Sequence, residues 1–216
     1  MKAVVILSGW MDSTTLLYRL LNEWKEVYAL SFNYNQKHKI ELEEAKATCK
    51  KLWVPHKIVD ISFLNEITEN SLTRKNIEVP EWHSGSETMK KTIVYNRNPI
   101  MANIALSYAL TMWAKEIALW IQGWNNTIYE DCRPEALEAL QKTADIWNKW
   151  IKFIAPYLYM DKADIVREWL KLWVDYSLTH TCYEWREKAC GKCGSCVKRL
   201  EAFKQNWIKD PIEYEW

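Results

Sequence analysis

The sequence predicts an α/β fold, a doubly wound five-stranded parallel sheet with helices on both faces. Short apolar stretches rich in β-branched residues alternate with segments of helical length, and strands separated by helices form parallel sheets through right-handed crossovers. The first apolar stretch runs into small hydroxyl residues that open a helix, which is typical of a ligand site above the carboxyl ends of the strands. Because the chain has 216 residues, 49% of them hydrophobic, residues 1–216 are predicted to form a single domain.

The elements follow in chain order. Strands are predicted from apolar runs at residues 3–7, 26–32, 56–61, 115–122 and 151–154. Helices are predicted over 16–21, 40–52, 97–111, 134–146 and 161–170, the last one capped by Asp161. Residues 65–95 have no strong period and are predicted to form a long loop, of a length that is often a functional lid.

The turn between the first strand and the first helix is the main candidate site. Its residues are Leu7, Ser8, Gly9, Trp10, Met11, Asp12, Ser13, Thr14 and Thr15. Unpaired N–H groups and the helix dipole favour an anion at such a turn, and the hydroxyl groups can bind phosphate oxygens. The Asp12 carboxylate would repel phosphate unless a metal ion lies between them or the acid caps the helix. An ordinary capped turn is the alternative.

The turn sequence S-G-W-M-D-S-T-T resembles the pyrophosphate loop of the ATP pyrophosphatase superfamily, in which a substrate is adenylated and pyrophosphate leaves. A G-x-x-x-x-G-K-[ST] loop would instead favour transfer of the γ-phosphate. The resemblance implies an adenine nucleotide alpha-hydrolase-like fold in which residues 7–15 bind ATP with Mg²⁺. The superfamily has glycine where this chain has Trp10, and an indole at that place could fill the phosphate volume.

Four cysteines near the C-terminus have the spacing of metal ligands. They are Cys182, Cys190, Cys193 and Cys196. Thiolates at this spacing can close a tetrahedral Zn²⁺ shell, so segment 180–200 is predicted to be a zinc knuckle, and a full shell makes the zinc structural. An iron–sulfur cluster is the alternative, and disulfides are disfavoured by the cytosolic interpretation. Cys49 and Cys132 are interpreted as packed cysteines, although Cys132 follows the fourth strand, where a site residue could lie.

Charge and hydropathy exclude other classes of protein. The net charge of +1 argues against an extended nucleic-acid surface, so no direct nucleic-acid partner is expected. No apolar run approaches the roughly 20 residues of a membrane span, and the N-terminus enters a strand without a signal peptide. A cytoplasmic location without a membrane partner is therefore expected. The oligomeric state is left open, with a homodimer as one alternative.

Tryptophan is abundant and glycine scarce, with 14 and 5 residues respectively. Trp24, Trp53, Trp113 and Trp173 fall where helices should end. The residue just after a helix commonly takes the left-handed conformation, which glycine adopts without strain and which costs other residues on the order of 1–2 kcal/mol. Backbone strain is therefore expected at these four positions.

Taken together, the motifs resemble those of the 7-cyano-7-deazaguanine synthase family over nearly the whole chain. The matching segments include Y-A-L-S-F-N-Y-N-Q-K-H at 28–38, D-C-R-P-E at 131–135 and C-G-K-C-G-S-C at 190–196. The resemblance implies a ligase that uses ATP and ammonia to convert the carboxylate of 7-carboxy-7-deazaguanine into a nitrile through adenylated intermediates. A tRNA-thiolating relative and a non-catalytic nucleotide-binding protein with Trp10 blocking the loop are the alternatives.

The resemblance also implies roles for individual residues. Ser8, Gly9, Asp12, Ser13 and Thr14 would hold pyrophosphate and metal, with Asp12 and Ser13 in catalytic positions. The cations expected near phosphate or the substrate carboxylate are Arg97 and Lys162. Asp131 and Arg133 would recognise the deazaguanine, while Gln36 and His38 would lie beside the adenosine. The alternatives are ordinary surface positions for Arg97 and Lys162 and a structural role for the histidine. For Asp131 and Arg133 the alternative is salt bridges that order the loop.

Overall fold

Five parallel strands form the centre of the protein, in the order β3-β2-β1-β4-β5. The computed structural model describes residues 1–81, 89–123, 128–184 and 188–215. The strands are β1 Lys2–Ile6, β2 Glu26–Asn33, β3 His56–Asp60, β4 Glu116–Ala118 and β5 Lys152–Ile154. Since β1 pairs with both β2 and β4, the strand order reverses beside β1, and a ligand crevice is expected at its carboxyl end. The predicted doubly wound five-stranded parallel sheet is confirmed.

Helices cover both faces of the sheet. They are α1 Met11–Asn22, α2 Ile40–Leu52, α3 Leu64–Ile67, α4 Arg97–Met112, α5 Pro134–Trp147, α6 Lys162–Leu172 and α7 Gly194–Gln205. The bounds of α2 agree with the prediction. Asp161 caps α6 as predicted, because its side chain accepts from the Asp164 N–H at 2.7 Å while the Asp164 carboxylate accepts from the Asp161 N–H at 3.0 Å. Among the described residues, no helix is both long enough and apolar enough to cross a membrane.

Several predicted bounds were wrong. Strand β4 ends at Ala118 and is much shorter than the predicted 115–122. Helix α1 begins at Met11, so the second half of the predicted turn is the first turn of the helix. Short helices interrupt the predicted loop at 65–95, at Leu64–Ile67 and Lys90–Thr92, and residues 82–88 of that loop lie outside the described residues. Helix α7 was not predicted.

The core has a layer on each face of the sheet and a third cluster beside α1. Val4, Ile6 and Phe32 point to the face covered by α4 and α5, while Val5 and Leu7 point to the face covered by α1 and α2. The third cluster joins α1, α6 and α7 and is formed by Met11, Ala163, Val166, Val174, Tyr176, Ala202 and Phe203. This cluster packs the C-terminal helix against the helix that follows the candidate phosphate loop.

Five tryptophans end helices in the left-handed conformation. They are Trp24, Trp53, Trp113, Trp173 and Trp207, with φ of 57°, 56°, 55°, 54° and 58°. Four of the ends carry the paired bonds of a Schellman motif; at the end of α2, for example, the Trp53 N–H donates to Lys50 O and the Val54 N–H to Cys49 O. The indoles are 84–96% exposed. The predicted strain positions are thus confirmed, and Trp207 adds a fifth.

Candidate functional site

The turn after β1 is a tight loop closed by its own hydroxyl groups. Gly9 has φ of 81°, and a Cβ there would lie 2.0 Å from the Glu41 carbonyl oxygen, so only glycine fits. The hydroxyls of Ser8 and Ser13 are 2.9 Å apart, and the Ser13 hydroxyl also accepts from the Ser8 N–H at 3.1 Å. The Trp10 N–H donates to the Ser8 hydroxyl at 3.3 Å. The Ser8 and Ser13 hydroxyls therefore meet just before α1, where the N–H groups of the first helical turn favour an anion.

A cavity of about 160 Å³ lies beside this loop at the carboxyl end of the sheet. Of the predicted site residues, its lining includes Leu7, Ser8, Trp10, Asp12, Arg97 and Lys162. Met11, Ser13, Thr14 and Thr15 are buried behind the loop. Thr15 bonds to Met11 O and to the Tyr176 hydroxyl and is held in place as a structural residue. The cavity lies where the reversal of strand order predicts a ligand crevice.

Asp12 and Lys162 form an ion pair at the edge of the cavity. The Lys162 ammonium donates to Asp12 Oδ2 at 2.6 Å, and both side chains are largely buried. The other carboxylate oxygen, Asp12 Oδ1, is buried without a hydrogen-bond partner among the described residues. An unsatisfied carboxylate oxygen beside a phosphate loop is a suitable Mg²⁺ ligand, because Mg²⁺ takes only one or two protein carboxylates and completes its shell with phosphate and water.

Arg97 begins α4 on the opposite side of the cavity. Its Nη1 donates to the Tyr34 hydroxyl at 3.1 Å, and its Nε donates to Asn98 Oδ1 at 3.2 Å. Cys132 also lines the cavity, and burial raises the pKa of its thiol to about 12, so it remains protonated near neutral pH. Asp131 and Arg133 flank Cys132 and do not line the described cavity. Arg133 lies 4.0 Å from Glu130 and is partly exposed.

Gln36 and His38 are fully buried behind the cavity wall and hold Glu41. Gln36 Nε2 donates to Glu41 Oε1 at 2.7 Å, and His38 Nε2 lies 3.3 Å from Glu41 Oε2. The indole N–H of Trp10 donates to the same Oε2. Burial lowers the pKa of His38 to about 3, so its ring is neutral. Burial also raises the pKa of Glu41 to about 8, against the opposing hydrogen bonds from Gln36 and Trp10.

The four predicted metal ligands come together in the tail. The sulfur atoms of Cys182, Cys190, Cys193 and Cys196 all lie within 4.8 Å of one another, and all four residues are buried. Cys190 Sγ and Cys196 Sγ are 3.9 Å apart, close to the edge of a tetrahedron with Zn–S bonds of about 2.3 Å. Backbone N–H groups of Lys192 and Cys193 donate to Cys190 Sγ at 3.4 and 3.3 Å. The geometry and the donor set fit a tetrahedral zinc.

The cysteine cluster is joined to the candidate phosphate loop. The N–H of His180, two residues before Cys182, donates to Gly9 O at 3.1 Å. Tyr183, Ser195 and Lys198, which flank the ligands, all line the cavity. Arg199 is fully buried, donates to the Thr181 hydroxyl beside Cys182 at 2.8 Å and forms a bidentate pair with Asp210 at 2.7 and 2.9 Å. Ordering of the knuckle therefore shapes one wall of the site.

The comparisons with known proteins agree with this geometry. The family model for queuosine biosynthesis protein QueC matches residues 2–207. A 7-cyano-7-deazaguanine synthase of Caldicellulosiruptor saccharolyticus is 48% identical over 216 residues, covering 100% of this chain and 96% of that protein. The chain belongs to this family. A 7-cyano-7-deazaguanine synthase of Methanoregula boonei is 46% identical, and the alignment covers 100% of this chain and 100% of that protein.

Solved structures outside the 7-cyano-7-deazaguanine synthase family share the fold. A U34-tRNA thiolase of Methanococcus maripaludis with its [4Fe-4S] cluster has a TM-score of 0.50 at 15% identity, over 95% of this chain and 67% of that one. A 4-thiouridine synthetase in a complex with RNA and bound ATP has a TM-score of 0.51 at 16% identity, over 94% and 50%. Likeness at this level concerns the fold alone, so family membership takes precedence over the tRNA-thiolating alternative.

Among the residues that line the cavity, sequence reasoning missed Glu41, Tyr183, Ser195 and Lys198. Glu41 lies in a segment rich in Glu and Lys that looks like an ordinary exposed helix, but its side chain is buried against Trp10, Gln36 and His38. The other three residues come from the tail and reach the cavity through the folding of the knuckle. Their spacing around the cysteines could have suggested that the metal ligands lie close to the site.

Proposed function

We propose that this chain converts 7-carboxy-7-deazaguanine and ammonia into 7-cyano-7-deazaguanine with ATP as the activating substrate. The observation that carries the proposal is one cavity that joins the phosphate-loop residues Ser8 and Asp12 to the cations Arg97 and Lys162. A carboxylate is a poor electrophile and must be adenylated before ammonia can attack it. A loop that binds pyrophosphate next to a cationic wall suits that step.

In this proposal some residues bind the substrates and others neutralise negative charge. Ser8 and Ser13 would bind the departing pyrophosphate together with the N-terminus of α1. Asp12 would hold Mg²⁺ through its unsatisfied oxygen, and the metal would supply charge neutralisation between phosphate oxygens. Lys162 pairs with Asp12 and orients its carboxylate. Arg97, held by Tyr34 and Asn98, would face the substrate carboxylate, while Asp131 and Arg133 would read the heterocycle from the adjoining turn.

Two adenylations complete the proposed reaction. Ammonia displaces AMP from the first acyl adenylate to give the amide. A second ATP then adenylates the amide oxygen, which leaves with AMP as the nitrile forms. The chain's own contribution is to hold the reacting groups together in one cavity. Gln36 and His38 would hold Glu41 in the cavity wall and would not contact adenosine directly.

The test is exchange of labelled pyrophosphate into ATP in the presence of 7-carboxy-7-deazaguanine and Mg²⁺, followed by mass analysis of the product after ammonia is added. We expect acid-dependent exchange and a nitrile product, and we expect Asp12→Asn to lose most of the exchange while keeping its circular dichroism spectrum. Exchange that does not require the acid, or a product that stops at AMP and unchanged acid, would contradict the proposal.

The zinc should be stoichiometric and structural. Because the four thiolates form a closed shell, metal analysis of protein purified without chelator should find about one Zn per chain. Cys193→Ser should lower the thermal midpoint, and ATP affinity should fall with it, since Tyr183, Ser195 and Lys198 line the cavity.

Lys209→Ser, at an exposed position of the same tail, is the matched control and should change neither quantity. Iron and labile sulfide in place of zinc would establish a cluster instead. An unchanged thermal midpoint in the metal-free protein would exclude a structural metal.

A further inference from the structure

Glu41 is a buried carboxylate at the cavity, and among the described residues no Lys or Arg lies within ion-pair distance of it. It is 3% exposed and lines the cavity from the first turn of α2. Its hydrogen bonds come from Gln36 and Trp10, which are neutral, and its ion-pair-distance neighbour is the neutral ring of His38. A carboxylate in such a place binds a proton readily, because burial disfavours its charged form.

The second carboxylate at the cavity is held in a different state. Asp12 forms an ion pair with Lys162 at 2.6 Å, whereas Glu41 has only neutral hydrogen-bond donors. Two carboxylates of one cavity with different surroundings are a usual basis for dividing acid and base roles. Glu41 is thus the one of this pair that is suited to exchange a proton.

The groups that face Glu41 cannot replace it in that role. From the end of β2, burial raises the pKa of Tyr34 above its ordinary range, and from the following loop His38 has a pKa of about 3. Arg97 on α4 supplies a permanent positive charge that favours the ionised carboxylate. Tyr183 packs against Trp10 and His38, the neighbours of Glu41, and burial raises the pKa of its phenol. With a pKa of about 8, Glu41 changes protonation state near neutral pH.

We propose that Glu41 accepts the proton of the nitrogen nucleophile. An ammonium ion entering the cavity gives one N–H proton to the Glu41 carboxylate, and the freed lone pair forms the C–N bond to the acyl carbon. The C–O bond to the adenylate breaks, and its electron pair leaves on AMP. The second N–H proton lost in forming the neutral amide goes to water. This role rests on the proposed function and adds a catalytic residue to it.

The test separates adenylation from nitrogen attack. Glu41→Gln keeps the size and polarity of the side chain and removes the proton acceptor. We expect pyrophosphate exchange to be retained and amide formation from ammonium to fall about a hundredfold, the usual size of a lost general base. Hydroxylamine is neutral at pH 7 and needs no deprotonation, so its capture of the acyl adenylate should be unchanged.

Two further variants control the comparison. Glu43→Gln removes an exposed carboxylate of the same helix, with 69% of its side chain accessible, and should leave every rate unchanged. Glu41→Asp retains a carboxylate and should recover part of the ammonium-dependent rate, which gives a second measurement if the Gln variant folds poorly.

The outcomes distinguish this inference from the proposed function. Undiminished amide formation in Glu41→Gln would overturn the inference alone. If Glu41→Gln lost both pyrophosphate exchange and hydroxylamine capture, the inference would also be overturned. Glu41 would then have a structural role in positioning the loop at Gly9. If the unaltered chain showed no acid-dependent exchange, the proposed function would fail, and this inference with it.

A different observation carries a second inference, about the five helix-ending tryptophans. Each has a left-handed backbone and an indole that is at least 84% exposed, so the side chain contributes little packing where the backbone favours glycine. Trp169 is a contrasting tryptophan, stacked on Tyr176 at 4.8 Å inside α6. We infer that the source organism inserts glycine at the five helix ends, from a codon rendered as tryptophan in this sequence.

Codons and peptides test this inference directly. We expect the gene to carry UGA at positions 24, 53, 113, 173 and 207 and UGG at position 169, since some genetic codes read UGA as tryptophan and others as glycine. Peptide mass spectrometry of protein purified from the source organism should then find glycine at the five ends and tryptophan at 169. The same codon at all six positions, or tryptophan in the five peptides, would overturn it.

Discussion

Replacing Trp24, Trp53, Trp113, Trp173 and Trp207 together by glycine should raise the free energy of unfolding by about 2–5 kcal/mol. Left-handed backbone costs a residue with a Cβ about 1–2 kcal/mol, and glycine gives back part of the gain, about 0.5–1 kcal/mol, through the greater entropy of its unfolded chain. The sites lie at the ends of five different helices, so their effects should add. For a protein of this size the thermal midpoint should rise by roughly 5–20 °C.

The same five positions changed to alanine form the matched control. Alanine removes the indole and keeps the Cβ that makes the left-handed backbone costly, so the free energy of unfolding should not rise. Equal stabilisation by alanine and glycine would show that the exposed indoles, and not the backbone, are responsible. Trp169→Gly should be strongly destabilising, because its ring stacks on Tyr176 and its indole N–H donates to Val174 O.

The sequence predicted those parts of the fold that depend on local chemistry. The apolar run of β1 and the capping residue Asp161 determine their elements through neighbours in the chain, and both are found in the structure. Strand β4 was predicted too long because apolar residues continue after Ala118. Leu119 and Ile121 are buried in the core outside the strand, and composition does not distinguish buried loop from buried strand.

The residues of the candidate site that belong to one sequence motif could be predicted, and those that distant segments bring together could not. Ser8, Asp12 and the four cysteines have recognisable spacing. Glu41 has none, because its side chain is buried by contacts with Trp10, Gln36 and His38, which lie outside its helix. Lys198 likewise belongs to a helix that was not predicted, since its first turn begins with Gly194 and Ser195, residues without strong helical preference.

Trp10→Gly should raise ATP affinity about tenfold, or ~1.4 kcal/mol. The indole lines the cavity, with its ring 5.7 Å from the His38 ring and 5.5 Å from the Tyr183 ring. It therefore occupies space beside the phosphate loop, where it should exclude part of the nucleotide. The measurement is calorimetric titration with ATP and Mg²⁺, together with turnover of ATP to AMP in the presence of the deazaguanine acid and ammonia.

Trp10→Phe separates bulk from hydrogen bonding. Phenylalanine keeps most of the ring and cannot donate to Glu41, so its ATP affinity should stay close to that of the unaltered chain if steric exclusion is the cause. If both variants bind more tightly, the bond from the indole N–H to Glu41 is what restrains the site. In that case the pKa of Glu41 should rise further in both, since this bond opposes the effect of burial.

The result also decides between an active and a blocked nucleotide site. The Trp10 N–H already donates to the Ser8 hydroxyl, so the loop keeps its shape through backbone and serine contacts that the glycine variant retains. An affinity gain with turnover would show that the loop is competent and that only the indole limits it. Unchanged affinity in a well-folded Trp10→Gly variant would contradict occlusion, because the removed ring would then lie outside the volume that ATP occupies.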